Sequence, residues 1–273
     1  MSAPGESLRV LILEPGSPRP EGEIGRIVAL HSGVNPSDAT MRVRYGGGLL
    51  ADHLRPGDAE AIARELSEIG VRTRTIEASR WALEPRGFRA FGLELPGAAL
   101  VVRLVSGRMI VVPKETVFGL HLYALSAPRG DGPGEEVVLA MSRPEERGVL
   151  SPRGRDYLCK AAESGLLPFE MYLTIHSDEP FGPIRVRKRD FDFTSLGEKR
   201  LEHSADNFLI LLEEVLAAFP LAMNREPAER FLTDLDPRAF YYFKEEEAEN
   251  KDRWILQWRQ IKAEERGPPP EDA

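Results

Sequence analysis

The sequence LRVLILEPG, residues 8–16, opens the stretch that decides the fold of this chain. Its beginning is an apolar run of strand length, and Glu14-Pro15-Gly16 stops that run. Apolar residues then recur at helical spacing from Ile24 to His31, and Gly33 follows where the helix would end. The pattern therefore predicts a strand followed by an amphipathic helix.

The next residues predict a second helix less clearly. Asn35-Pro36 offers an N-cap followed by a proline at the first helical position. Residues 38–45 fit a strand, because Met41 and Val43 alternate with polar residues, and also fit a helix through the spacing of Ala39 and Val43. Both interpretations of residues 38–45 stay open at this point.

A glycine triplet and two further elements complete the N-terminal pattern. Gly46-Gly47-Gly48 breaks the chain before a short apolar strand at residues 49–51. Asp58 can cap a third helix whose apolar face runs from Ala59 to Ile69, and Val71 to Ile76 reads as a last strand. The order β-α-α-β-α-β thus predicts a small module over residues 1–80.

This order resembles a known domain, the C-terminal domain of the bacterial ribosomal stalk protein, and the Clp protease adaptor has a similar fold. The phrases Asp58-Ala59-Glu60-Ala61-Ile62 and Glu68-Ile69-Gly70-Val71 carry the resemblance. In the stalk domain a lysine-rich two-helix hairpin recruits translation factors. The matching stretch, residues 25–43, contains Arg26 and Arg42 but no lysine. The resemblance therefore implies the fold and the binding of a protein partner.

Composition bounds the class of protein. The chain has 273 residues, 42% of them hydrophobic, and a formal net charge of −8, which disfavours broad binding to nucleic acid or anionic membrane. No apolar run reaches the length of a membrane span, and the N-terminus has no apolar signal segment. The single cysteine, Cys159, excludes an internal disulfide and a cysteine-based zinc site. These features indicate a cytoplasmic protein without a membrane span.

From Phe88 onwards the pattern changes to strands and predicts a β-rich module over residues 86–220. The expected strands cover residues 89–95, 100–105, 109–112, 117–125, 137–141, 169–175 and 184–189. Residues 126–135, rich in proline and glycine, are a candidate linker or loop. Ser204 can cap an apolar helix in which Leu212 and Leu216 are expected core residues.

Seven strands followed by one apolar helix resemble the pleckstrin-homology-like superfold. Lipid-binding members of that family use basic residues beside the first hairpin. The corresponding tip here, Leu95-Pro96-Gly97-Ala98, has no lysine or arginine. The resemblance therefore implies a peptide-binding or structural role rather than phosphoinositide binding.

Residues 221–266 are expected to form a helical extension, and residues 267–273 a disordered proline-rich tail. Trp254, Trp258 and Ile261 share one face of the extension. This stripe either docks on the chain's own body or anchors a partner, which makes both tryptophans candidate binding residues.

Candidate catalytic chemistry is sparse, and we assign no catalytic residue, metal ligand or cofactor. The histidines are scattered, and none pairs with another at metal-ligand spacing. Gly46-x-Gly48-x-x-Ala51 matches part of a dinucleotide fingerprint, but Arg55-Pro56-Gly57 interrupts the long helix that the fingerprint requires. An enzyme of another family remains an alternative. Its candidate residues are His176, Asp190, Asp192 and His203, and alternation places Asp190 and Asp192 on one face.

The most conspicuous basic segment contains Arg185, Arg187 and Arg189, which alternation places on one face of a strand. A solvated strand face is the common interpretation, and an anion or single-stranded nucleic acid site is the alternative. Taken together, the sequence predicts an α+β protein that is a non-enzymatic, adaptor-like interaction or regulatory protein with an unidentified protein partner.

Overall fold

The structure is a computed structural model that describes residues 7–82, 87–126, 156, 169–235, 240–242 and 244–267. Helices and strands are both abundant, which confirms the predicted α+β class. The chain divides into two compact units. Unit 1 combines Met1–Pro85 with Glu245–Ala273, and unit 2 comprises Arg86–Lys244.

Unit 1 contains a three-stranded antiparallel sheet in the order β2-β1-β3. Its elements are β1 (Arg9–Leu13), α1 (Glu21–Ser32), α2 (Pro36–Tyr45), β2 (Leu49–Leu54), α3 (Pro56–Glu68), β3 (Thr73–Glu77), α4 (Ala78–Trp81) and α7 (Glu245–Arg266). The first six follow the predicted order β-α-α-β-α-β.

The ambiguous residues 38–45 are helical and belong to α2. The Asn35 side chain accepts a hydrogen bond from the Ser37 backbone N–H at 2.8 Å, and Pro36 occupies the first turn. This cap satisfies one of the free amides at the start of the helix, which favours the helix over the strand. The third helix begins at Pro56, so Asp58 lies in its first turn rather than at its cap.

The sheet of unit 1 is buried on both faces. Leu11 and Leu13 of β1 belong to a core shared with α1, α2 and α3. Val10 and Ile12 point to the opposite face by alternation, and they are buried too. The buried side chains of α7 lie outside that core, and α7 contacts β2. It therefore supplies the cover of the second face.

Unit 2 contains a mixed seven-stranded sheet. Its elements are β4 (Phe88–Glu94), β5 (Ala99–Leu104), β6 (Met109–Pro113), β7 (Val117–Ser126), β8 (Phe169–Ser177), β9 (Ile184–Arg187), α5 (Ser204–Ala218), α6 (Glu226–Asp234) and β10 (Tyr241–Tyr242). Short 3-10 helices cover 114–116, 188–190 and 193–199. Residues 221–266, expected as one extension, thus divide between the units after Lys244.

The strand order is β10-β7-β8-β9-β4-β5-β6. Strands β4 to β6 form one antiparallel meander, and β7 to β9 form a second. Parallel pairing of β4 with β9 joins the two meanders, and β10 pairs in parallel with β7. This arrangement places β6 at one edge of the sheet.

Helix α5 covers one face of this sheet. Leu212 and Leu216 are buried within the core that α5 shares with the strands, which confirms the prediction for both residues. The expected strand 137–141, residues 127–135 of the candidate linker and the tail beyond Gly267 lie outside the described residues. No helix in the described ranges is long and apolar enough to cross a membrane.

Candidate functional site

The strands β7, β8 and β9 present two faces with different chemistry. Leu122, Leu173 and Val186 pair across the three strands and belong to the core. Alternation sends the neighbouring residues to the opposite face. Two in-register rows lie there, His121–Thr174–Arg185 and Tyr123–Tyr172–Arg187. We call these six residues the polar face.

The polar face contains buried hydrogen-bonding groups and stacked rings. Thr174 is 0% exposed, and its Oγ1 has no hydrogen-bond partner in the described part of the chain. The His121 ring stacks on Tyr123 with centroids 4.7 Å apart, and Tyr123 stacks on Tyr172 at 4.9 Å. A buried hydroxyl without a partner is costly, so the Thr174 hydroxyl is a group of this face to which water or a ligand could bond.

Thr174→Val tests whether the hydroxyl finds a partner in solution. If it does not, valine removes an unsatisfied polar group at nearly constant shape, and we expect the free energy of unfolding to rise by about 1 kcal/mol. Urea denaturation of the full chain measures the change, with Thr174→Ser as the variant that keeps the hydroxyl. If valine destabilises the chain by about 1 kcal/mol or more and serine does not, water or a ligand forms a hydrogen bond with the hydroxyl in solution.

The structure separates Arg189 from the other two arginines of the predicted basic segment. Arg185 and Arg187 lie on the polar face, whereas β9 ends at Arg187. Arg189 belongs to the 3-10 helix at 188–190 and is exposed, so it does not continue the alternation. Burial lowers the pKa of neighbouring Lys188, and the nearby charge of Glu170 opposes that shift.

Carboxylates surround Arg187. Its Nη1 lies 3.3 Å from Oδ2 of Asp190, and its Nη2 lies 3.9 Å from Oε2 of Glu170. Its Cζ also lies 5.8 Å from the centre of the Tyr172 ring. These contacts compete with any external anion for this guanidinium, as expected for an arginine on a folded protein's surface.

The four candidate residues for an enzyme site lie in different surroundings. Asp190 also forms an ion pair with Arg89, and Asp192 forms one with Arg103. Because the strand ends at Arg187, alternation does not place these two carboxylates on one strand face. His176 is buried on β8 opposite Gly119, and His203 precedes α5.

The surroundings of Asp192 hold it in the charged form. Partial burial acts to raise its pKa, but hydrogen bonds from the Thr194 backbone and side chain and from Arg103 outweigh burial and lower it. A carboxylate with a lowered pKa stabilises the fold above the ordinary aspartate range, and the contribution is lost on acidification. These contacts therefore make the charged form of Asp192 a stabilising group of the fold. Within the described ranges no group of three or more His, Cys, Asp or Glu residues could hold a metal ion.

Both candidate tryptophans lie inside unit 1. The indole N–H groups of Trp254 and Trp258 donate to the same carbonyl, that of Leu13, at 2.6 and 3.1 Å. A Cβ added at Gly48, whose φ is +107°, would lie 2.5 Å from Cδ1 of Trp254. The missing side chain at Gly48 therefore permits this close approach, and both tryptophans pack inside unit 1.

The edge strand β6 is a second candidate surface, which the sequence did not indicate. Its register with β5 is regular, and the pairs Val101–Val111 and Arg103–Met109 lie on the face opposite the core. Met109 is 64% exposed and Val111 is 57% exposed. Exposed Val105 lies beyond the end of β5. We call the outer side of β6 with these exposed side chains the β6 edge.

The backbone of the β6 edge has unused hydrogen-bonding capacity. Leu104 N–H donates to the Arg108 carbonyl at 2.8 Å, and Lys114 N–H donates to the Ala98 carbonyl at 2.9 Å. In an antiparallel ladder such contacts alternate, so Met109 and Val111 point their N–H and C=O groups away from β5. No described strand pairs with that outer side.

Comparison with protein-family models, curated proteins and solved structures gave no match. Of the two surfaces, the polar face is a donor-rich region with internal ion pairs, and the β6 edge is an open template for another strand. The sequence predicted the uncharged run Met109-Ile110-Val111-Val112 as a strand, but it did not indicate that this strand lies at an edge of the sheet.

Proposed function

We propose that this protein is a non-enzymatic, adaptor-like interaction protein of the cytoplasm, which binds an extended polypeptide segment as an added strand at the β6 edge. The exposed apolar side chains and outward backbone groups of Met109 and Val111 carry this proposal. The compartment rests on the single cysteine, since proteins of oxidising compartments commonly pair their cysteines.

The proposal is supported by how edge strands are usually protected. Proteins place charges, prolines or bulges on exposed edges to prevent unwanted pairing. Residues 109–112 contain no charged residue and no proline, and the pairing of β5 with β6 has no bulge. Pro113 stands only at the end of the strand. An unprotected edge of this kind is suited to strand addition, in which the backbone supplies affinity and alternate side chains supply specificity.

The proposal extends to unit 1 through its resemblance to the ribosomal stalk domain. In that family the two-helix hairpin contacts partners. The hairpin of α1 and α2 exposes the apolar residues Leu30, Val34 and Met41 here. These residues would give unit 1 a contact surface of its own.

Val111→Pro tests strand addition directly. The Val111 N–H points outward, where proline is tolerated in an edge strand, but proline removes the donor and blocks a neighbouring strand. Val111→Thr is the matched control, because it keeps the N–H and the branched shape. A photoreactive amino acid at Met109 of the full chain, irradiated in extract of its own cells, should join a polypeptide. We expect the yield to fall roughly tenfold with proline, as for a loss of about 1.4 kcal/mol, and to persist with threonine.

Crosslinking from Leu221, which is 94% exposed elsewhere in unit 2, measures non-specific capture. Equal yields of the same product from positions 109 and 221, or a yield unchanged by proline, would contradict strand addition.

A further inference from the structure

We infer that the strand received by the β6 edge is β6 of a second copy of this chain, paired antiparallel about a two-fold axis at Ile110. The inference rests on the proposed function, because it names the partner of the same edge. Symmetric pairs are the commonest oligomers, and a two-fold interface requires that one surface be complementary to itself. A symmetric β6 pair therefore needs a register in which β6 is complementary to itself.

An axis at Ile110 satisfies the outward backbone groups. Met109 of one copy then lies opposite Val111 of the other, and each of these residues has an outward N–H and C=O. Both symmetry-related pairs exchange hydrogen bonds in both directions. The side chains of these pairs are the exposed apolar ones, so the contact also buries part of their apolar surface against each other.

This register also avoids opposing charges. Arg108 falls opposite Val112, and Lys114 falls opposite Ser106, so no two like charges face each other. The pairing joins the two seven-stranded sheets into one continuous sheet through a surface that each copy presents identically.

An axis at Val111 is less favourable. It places Met109 opposite Pro113, which has no N–H to donate, and Arg108 opposite Lys114, which are like charges. Both defects occur twice because of the symmetry.

An axis at Met109 is also less favourable, because a local hydrogen bond leaves the Val111 carbonyl without a donor. It places Val111 opposite Gly107, whose N–H already donates to the Leu104 carbonyl in the turn between β5 and β6, at 2.9 Å. Of the three registers, the one centred on Ile110 alone pairs the N–H and C=O groups of both Met109 and Val111 and opposes no like charges.

The expected dimer is weak, and salt should not weaken it. Two short strands bury on the order of 1,000 Å² or less, so we expect a dissociation constant of roughly 1–100 µM. Each copy has a net charge of −8, and salt screens the repulsion between copies. Added salt should therefore maintain or strengthen the association. Sedimentation of the full chain across this concentration range measures it, with Val111→Pro expected to be monomeric and Val111→Thr to be dimeric.

Disulfide trapping tests the register without altering the core. In a Cys159→Ser background, Met109→Cys and Val111→Cys each place one thiol at an exposed position. The proposed register brings these two positions to a Cα separation of about 5.5 Å, within disulfide range. We expect rapid oxidation to a dimer only when the two variants are mixed, and at least about tenfold slower dimer formation by either variant alone.

Two results would overturn the inference: a monomer throughout the concentration range, or mixed variants that crosslink no faster than either one alone. If the purified chain is monomeric but position 109 still captures a different polypeptide in extract, and proline abolishes that capture, self-pairing is wrong and strand addition stands. If capture fails as well, both proposals fall.

Discussion

Ending the chain at Lys244 is expected to unfold unit 1 and to leave unit 2 folded. The deletion removes α7, whose large buried apolar side chains are Trp254, Ile255, Trp258 and Ile261. It also uncovers Val10 and Ile12 on the second face of the sheet. Burial of one such side chain contributes about 1.5–3 kcal/mol, so the combined loss exceeds the stability of a small unit, on the order of 5 kcal/mol.

Calorimetry of the full and shortened chains measures this effect. We expect the shortened chain to lose one unfolding transition and to keep the transition of unit 2. Trp258→Ala should lower the same transition, whereas Lys262→Ala on the exposed side of α7 should leave it unchanged. A shortened chain that retains both transitions at their original temperatures would show that unit 1 folds without α7.

Ile62→Asp is expected to unfold unit 1 through a buried charge. Ile62 is a fully buried residue of α3 within the core shared with α1 and α2. An unpaired carboxylate there costs several kcal/mol, comparable with the whole stability of the unit. Arg64→Asp introduces the same carboxylate at an exposed position of the same helix and is the matched control.

Circular dichroism melts of both variants separate the two effects. We expect the aspartate at position 62 to remove a transition and the aspartate at position 64 to change the midpoint by only a few degrees. Similar melts for the two variants would contradict the burial of Ile62.

The fold of unit 1 was predictable to the extent that its signals are local. Helix caps such as Asn35 and breaks such as Gly33 are short-range features, and they located the elements in the right order. Residues 38–45 were ambiguous, because two periodicities coincide there and only the cap decides between them. The start of α3 was misplaced because Pro56 begins the helix without a side-chain cap.

The docking of α7 was not predictable in the same way. The stripe of Trp254 and Trp258 indicated a buried helix face, but the carbonyl that both bond, Leu13, is 241 residues from Trp254. Sequence periodicity reports which face is buried and contains no information about the surface that covers it. The same limit applies to the parallel pairing of β4 with β9.

The candidate site was predictable in part. Alternation placed Arg185 and Arg187 on one face, and the error at Arg189 followed from a strand that ends earlier than expected. The β6 edge was missed because edge position depends on strand order, which no local pattern gives. The likeness to the stalk and pleckstrin-homology-like families, the enzyme alternative and the nucleic acid alternative stay predictions.

The composition of unit 1 from two distant segments has a consequence for how the chain is made. The ribosome synthesises β1 to β3 first and α7 only after the whole of unit 2. Throughout that interval the nascent chain leaves Val10 and Ile12 without their cover, although unit 2 can already fold. Chains released before Glu245–Arg266 has been translated would keep this apolar face exposed, which distinguishes them from longer products and makes them substrates for chaperones and degradation.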